Sequence, residues 1–294
     1  YHKKFFSYPL KPFQVLFGLG IWNSFMVIAS YLKAHVFPSK PEETFEQWVI
    51  NRFGKYLYTT FFKAYTEKVC GIPCSELRAT WAEQRINGLS LLSALKNSLI
   101  KPQNNGKSKV VIKTLIDNFY YPRLGPGMMW QTVANIVQKN GSHVRLGTEV
   151  DGVLWSGNKI EALEVKQNGH REKIQGTHFI SSMPLRELIH KFKPPAPEKV
   201  LKAASALTYR DFLTIALIVN KRDVFQDNWI YIHDPSVKLS RIQNFKNWSS
   251  SMVPDQDKTC LGLEYFCFEG DALWSISDQE LIELGKRELS TLGL

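Results

Sequence analysis

The side chains best suited to chemistry in this sequence are arginines and large aromatics: Tyr8, Arg85, Arg123, Trp229, Tyr231, Arg241 and Trp248. A guanidinium is a planar fork that binds phosphate bidentately, and a Trp or Tyr ring can stack on a base or a flavin. Each of these residues, taken alone, reads more readily as a surface ion pair or a core aromatic. As a set they describe a pocket for an aromatic, anionic ligand. Other chemistries lack their parts. The 7 histidines are scattered, and neither H-E-x-x-H nor G-x-S-x-G occurs. No metal site and no His-based triad is therefore expected, and no side chain is assigned a catalytic role. Cys70, Cys74, Cys260 and Cys267 form no C-x-x-C pair. That argues against a zinc site or a disulfide framework and for a reducing, cytoplasmic location.

A second feature is the stretch 119–131, an aromatic run meeting Gly125-Pro126-Gly127 and then a segment with apolar residues at Trp130, Val133, Ala134 and Val137. The two glycines let the backbone approach a flat ligand with no Cβ in the way. The helix that follows offers unpaired N–H groups and the positive end of its dipole. The plainer reading is a tight turn between a strand and a helix. Neither Gly18-x-Gly20 nor Gly125-x-Gly127 continues into a phosphate-binding G-x-G-x-x-G, and there is no Walker loop.

The elements that must position these residues fall into blocks. Length and a 44% hydrophobic content suit a folded chain of about two domains. The net charge of +10 suits an anionic partner, but the basic residues are scattered outside 101–113, so nucleic-acid binding is not expected. The charge-free stretch 12–32 is interrupted by Gly18, Gly20, Asn23, Ser24 and Ser30. It reads as two short helices broken at 18–20, buried or lying on a surface, and leaves room for peripheral membrane contact. Residues 1–8 read as the end of a hairpin, and 12–100 as helical. A capping box opens at Thr44, one helix spans 56–69, and shorter ones lie at 78–86 and 91–99. From 116 the pattern turns to the central turn, its helix, and short strands at 144–146, 149–154, 160–165, 171–174 and 178–182, with Asn168-Gly169 as a hairpin signal. Longer strands at 213–220, 229–232, 239–245 and 260–268 suggest an antiparallel sheet, and Ser277 with Glu280 caps a last helix.

The ordered set of runs Phe6-Ser7-Tyr8-Pro9, Thr44-Phe45-Glu46-Gln47-Trp48, 61–69, Tyr121-Pro122-Arg123-x-Gly125-x-Gly127, Trp229-Ile230-Tyr231 and 241–249 resembles UDP-galactopyranose mutases. It is similar, more widely, to the flavin amine oxidase and protoporphyrinogen oxidase superfamily. The resemblance implies FAD as cofactor and a mixed α+β and α/β fold. Residues 1–11 would be a strand of the sheet domain, 12–115 a helical substrate-side domain, 116–190 the returning part of the FAD-binding domain, and 191–294 an antiparallel sheet domain. It implies that Gly125, Pro126, Gly127, Met128, Val150 and Ser182 contact FAD. Tyr8, Phe61, Arg85, Trp229, Tyr231 and Arg241 would line the substrate pocket, with a UDP-sugar as the expected small-molecule substrate.

The family's Gly-rich FAD fingerprint is expected outside this sequence, which then reads as a fragment that is inactive alone. Cys70 stands where the mutases carry Trp, and Lys11 where eukaryotic members carry Gln. The implied activity is a redox-neutral ring contraction of a nucleotide sugar with flavin as catalyst. The alternative is an FAD-dependent oxidoreductase of the amine or protoporphyrinogen oxidase kind, and a further one is a non-catalytic binding module.

Overall fold

The computed structural model describes residues 18–86 and 119–294. The expected hairpin end at 1–8, Tyr8 itself and the expected helix at 91–99 lie outside those residues. The chain forms two compact units, Tyr1–Pro126 with Arg210–Leu294, and Gly127–Tyr209.

The first unit begins with helices. Gly20 sits at φ +87, so the break expected at 18–20 occurs there, and α1 (Ile21–Val36) runs beyond Lys33, the end of the charge-free stretch. Helix α2 (Phe45–Phe53) is opened by the capping box: the Thr44 hydroxyl accepts from the Gln47 N–H, and the Gln47 side chain accepts from the Thr44 N–H. Helix α3 is continuous from Lys55–Leu57 through a π-helical stretch, Tyr58–Lys63, to Ala64–Cys70. After it comes α4 (Ala79–Ile86). Phe45, Trp48, Val49, Leu57, Tyr58 and Phe61 are the buried centre of this block. At Gly54 the backbone turns at φ +80, and a Cβ there would lie 2.7 Å from the Tyr31 nitrogen. Only glycine lets the α2–α3 corner sit so close to α1.

The second unit carries α5 (Pro126–Lys139), whose first residue closes the first unit, and a four-stranded sheet. Its strands are β1 (Thr148–Ser156), β2 (Lys159–Gln167), β3 (His170–Gln175) and β4 (Phe192–Lys193), in the order β3-β2-β1-β4. The β2–β3 turn has Asn168 at φ 49 and Gly169 at φ 83, the positive pair that a two-residue hairpin of matching twist requires. Two of the expected strands are not formed: 144–146 and 178–182 run as irregular chain. Neither segment pairs with the sheet, and the strand beside β1 on its far side from β2 is β4, which runs parallel to it. Short helices α6 (Leu185–His190) and α7 (Glu198–Ser205) flank β4.

The chain then returns to the first unit with an antiparallel sheet. Strands β5 (Asp211–Val219), β6 (Trp229–Tyr231), β7 (Arg241–Asn244) and β8 (Thr259–Cys267) take the order β5-β8-β7-β6. Strand period two divides the sheet cleanly. Ile215, Ile242, Leu261, Leu263 and Tyr265 are buried on one face. Trp229, Tyr231, Arg241, Gln243 and Glu264 project from the other. A short helix α8 (Phe245–Trp248) follows β7, and the apolar face packs on α9 (Asp278–Leu292), capped by Ser277 and Glu280 as expected. The approach is close enough that a Cβ on Gly285 would meet the Leu263 side chain at 2.8 Å.

From α9 the buried Glu288 accepts from the Lys238 N–H at 2.7 Å and the Leu239 N–H at 2.9 Å. Glu288→Ala strands the buried Leu239 N–H and the partly buried Lys238 N–H. It is expected to lower unfolding stability by about 3 kcal/mol, read as a lower urea midpoint with an unchanged slope.

Candidate functional site

The polar and aromatic face of the second sheet gathers three of the six residues expected in the substrate pocket, Trp229, Tyr231 and Arg241. Tyr231 pairs with Arg241, and Arg241 with Glu264, so the three stand in one row across β6, β7 and β8. Trp229 and Gln243 form the next row. The rows are joined by hydrogen bonds. Arg241 donates from Nε and Nη2 to one oxygen of Glu264, at 2.7 and 2.5 Å. Gln243 donates to the other oxygen at 3.0 Å, and the Trp248 indole donates to Gln243 at 2.8 Å. Burial alone would lower the Arg241 pKa, but the bond and charge of Glu264 outweigh it and hold it above the ordinary arginine value. The guanidinium is fixed in orientation, with its Nη1 edge not engaged by Glu264.

Rings continue from this wall in both directions. Trp248 lies parallel to Trp229 at 5.0 Å, and Tyr121 packs on Trp248 at 4.8 Å. The Ser249 hydroxyl donates to the Arg123 carbonyl at 2.7 Å. The aromatic run before Gly125 is thus anchored to the same sheet as Arg241. At the other end Tyr231 meets Tyr65 edge-on at 5.2 Å, Tyr65 meets His233, and His233 meets Phe61.

Helix α3 supplies Phe61, Tyr65 and Lys68 to this region. Phe61 is buried in the helical core, whereas Tyr65 and Lys68 reach the sheet. The π-helical stretch inserts an extra residue into the turn and re-phases the helix between these two tasks. The Lys68 ammonium donates to the carbonyls of Asp234, Leu239 and Ile232 at 2.5, 3.2 and 3.3 Å. Burial lowers its pKa to about 8, which leaves it charged at neutral pH.

Of the residues expected from sequence, the structure therefore brings together Phe61, Trp229, Tyr231 and Arg241, with Trp248 among them. Arg85 is placed apart, its guanidinium stacked 4.1 Å over the Trp81 ring of α4. Arg123 enters through its backbone carbonyl. Tyr65, His233, Gln243 and Glu264 were not foreseen. Tyr65 could have been, since Phe61, Tyr65 and Lys68 recur at helical spacing; the strand register that joins Arg241 to Glu264 leaves no mark in the sequence.

The residues expected to meet FAD can be tested for fit. Gly125 takes φ +86, with its N–H bonded to the Pro122 carbonyl at 2.9 Å. A Cβ on Gly127 would meet nothing within 4 Å, so the turn is open to a flat ring. On α5 no side chain is buried, and Met128, Met129 and Trp130 are exposed. Val150, on β1, is half-buried at a bulge, and Ser182 lies in exposed irregular chain. These features fit the flat part of a flavin. No phosphate-binding glycine loop is present in the sequence to hold its diphosphate. Thiol chemistry finds no support: burial raises the pKa of all four cysteines, that of Cys74 to about 12. Among the described residues no cluster of His, Cys, Asp or Glu could hold a metal ion.

Burial, with the Lys68 charge adding to it, pulls the His233 pKa down to about 4. The folded value lies below the ordinary 6.5, so the unfolded chain binds the extra proton between the two. The stability this neutral imidazole contributes is present above pH 6.5 and lost as pH falls toward 4. Unfolding free energy should drop across that window with a slope approaching about 1.4 kcal/mol per pH unit, and His233→Phe should flatten it. Urea titrations at stepped pH give the measurement.

Comparisons with known proteins place this geometry. The chain is similar in structure to reduced UDP-galactopyranose mutase, with a TM-score of 0.71 at 16% identity over 94% of this chain and 57% of that one. It is similar to a protein assigned as a protoporphyrinogen oxidase from Exiguobacterium (TM-score 0.61, 13% identity, 93% of this chain and 56% of that one). An oxidoreductase from Methanosarcina mazei is also similar (TM-score 0.56, 10% identity, 95% and 59%). The chain therefore spans a little under three-fifths of the length of the solved structures it matches. At these identities the likeness is one of fold, that of FAD-dependent oxidoreductases. The family described as flavin containing amine oxidoreductase matches residues 31–294. With that match over nearly the whole chain, and the flavin-fold geometry beneath it, the protein belongs to the flavin containing amine oxidoreductase family, whose cofactor is FAD.

Proposed function

We propose that this chain is the substrate-side portion of an FAD enzyme acting on a nucleotide sugar, in the manner of a UDP-galactopyranose mutase. The observation that carries this reading is the row Tyr231–Arg241–Glu264 beside Trp229 and Trp248. Glu264 orients the guanidinium, Nη1 and the Tyr231 phenol are the groups for a diphosphate, and the Trp and Tyr rings are surfaces for a base. The same contacts would stabilise the diphosphate as a leaving group. Gly125 and Pro126, joined to this wall through Tyr121 and Trp248, are assigned by the resemblance to the flavin ring together with Gly127 and Met128, which follow them in sequence; Val150 and Ser182 are assigned by the same resemblance to FAD. Bound FAD supplies the electron-rich ring that carries the difficult step, which suits a site to whose described residues no acid–base pair is assigned. A reducing, cytoplasmic setting suits the four free thiols.

One observation favours a second reading. The buried Glu264 offsets the Arg241 charge, and the remainder of the wall is aromatic and close to neutral. That arrangement also suits hydride removal from a bulky, lipophilic substrate by an oxidoreductase of the protoporphyrinogen oxidase kind.

Titration of UDP-galactose into the dithionite-reduced full chain separates the two. The mutase reading expects tight binding that Arg241→Ala weakens by at least about 1.5 kcal/mol, roughly tenfold. Binding unchanged in that variant removes Arg241 from the role. A flavin spectrum without any nucleotide-sugar binding transfers the assignment to the oxidoreductase.

A further inference from the structure

Among the described residues, helix α1 is fastened on one side only. Asn23 accepts from the Tyr56 hydroxyl at 2.8 Å, Ser30 accepts from the Tyr56 N–H at 2.9 Å, and Val27 and Ala34 are buried. These residues share a face, since a helix turns about 100° per residue. On the opposite face Ile21, Phe25, Ile28, Leu32 and Val36 recur at helical spacing, with Trp22 beside them. All six are between 50% and 93% exposed. A contiguous apolar stripe of this length is costly in water and marks a contact surface.

The charges around the stripe say what covers it. Residues 1–41 contain no Asp or Glu, while Lys33 and His35 stand in the last turn of α1 and Lys40 lies four residues beyond its end. Helical phase puts Lys33 and His35 on either flank of the stripe. The first acidic residue, Glu42, is already paired with Arg52 at 2.9 Å. A second copy of the chain meets this surface poorly. A two-fold contact would bring the same lysines together, with no carboxylate from this segment to answer them. An anionic lipid surface answers both features, because acyl chains take the apolar stripe and headgroups take the ammonium groups. Spanning is excluded for the described helices, none of which is long and apolar enough to cross a bilayer.

We propose that α1 is a monotopic membrane anchor, lying in the plane of an anionic bilayer surface with the Ile21–Phe25–Ile28–Leu32–Val36 stripe in the acyl boundary. Lys33 and Lys40 reach to the headgroups. The assignment does not depend on which substrate the sheet face binds.

Co-sedimentation of the full chain with phosphatidylcholine vesicles, with and without phosphatidylserine, tests it. The protein should pellet with the phosphatidylserine vesicles. Phe25→Glu with Leu32→Glu should reduce that partitioning by at least about tenfold, with circular dichroism and melting temperature retained. Lys33→Gln with Lys40→Gln should remove the preference for phosphatidylserine and leave the fold intact. No sedimentation, or sedimentation indifferent to Phe25→Glu with Leu32→Glu, overturns the proposal. So does sedimentation-velocity evidence of a dimer that the glutamate variant dissolves without any vesicle binding, which assigns the stripe to a second copy. A glutamate variant that fails to fold overturns it too, since the stripe is then covered within the protein itself.

Discussion

The ammonium of Lys68 is the contact on which the first unit depends. A buried cation is costly unless its donors are satisfied, and here three carbonyls of the 232–239 segment take them. The same segment is held from its other side by Glu288, which accepts the Lys238 and Leu239 amides. One helix therefore grips the segment by its carbonyls and another by its N–H groups. Arg210 adds a second tie, donating to the Phe266 and Lys68 carbonyls while stacking on Phe268. At Gly71 a Cβ would lie 2.7 Å from that ring, so the chain leaves α3 through a gap only glycine fits. With the helix held this way, Tyr65 rests against Tyr231 and His233.

The wall that results is rigid for reasons that are separable. Arg241 has its direction from a carboxylate that is 8% exposed, and that carboxylate is engaged on both oxygens. Trp248 is held by its indole bond to Gln243 and by rings on both sides. A site built on strand-paired residues holds its groups more closely than one built on loops.

Much of the fold was legible because it is written locally. The capping boxes at Thr44 and Ser277, the break at Gly20 and the Asn168-Gly169 turn are short-range signals, and each occurs where its residues stand. The four strands of the second sheet were legible from apolar runs. Strands expected at 144–146 and 178–182 do not form, because a strand also needs a pairing partner, which a local pattern cannot report. The candidate site shows the same division. Trp229, Tyr231 and Arg241 stood out by type and by resemblance. Glu264, which decides how much positive charge Arg241 presents, lies 23 positions further on and becomes its neighbour only through register. His233 was hidden for another reason: burial, not sequence, makes it a neutral ring.

The π-helical stretch in α3 sets a rule for how this chain can change length. Each residue turns an α-helix by about 100°, so deleting one position from the regular turn at Lys55–Leu57 would swing everything after it to another bearing, whereas the π-helical stretch already takes up one residue more than an α-turn. Tyr65 would leave Tyr231, and Lys68 would lose its carbonyls together with it. Substitutions in the stretch disturb packing one side chain at a time, whereas a single-codon loss uncouples the helical block from the sheet in one step. In a lineage that keeps this fold, the reading of α3 is therefore constrained by count before it is constrained by residue type.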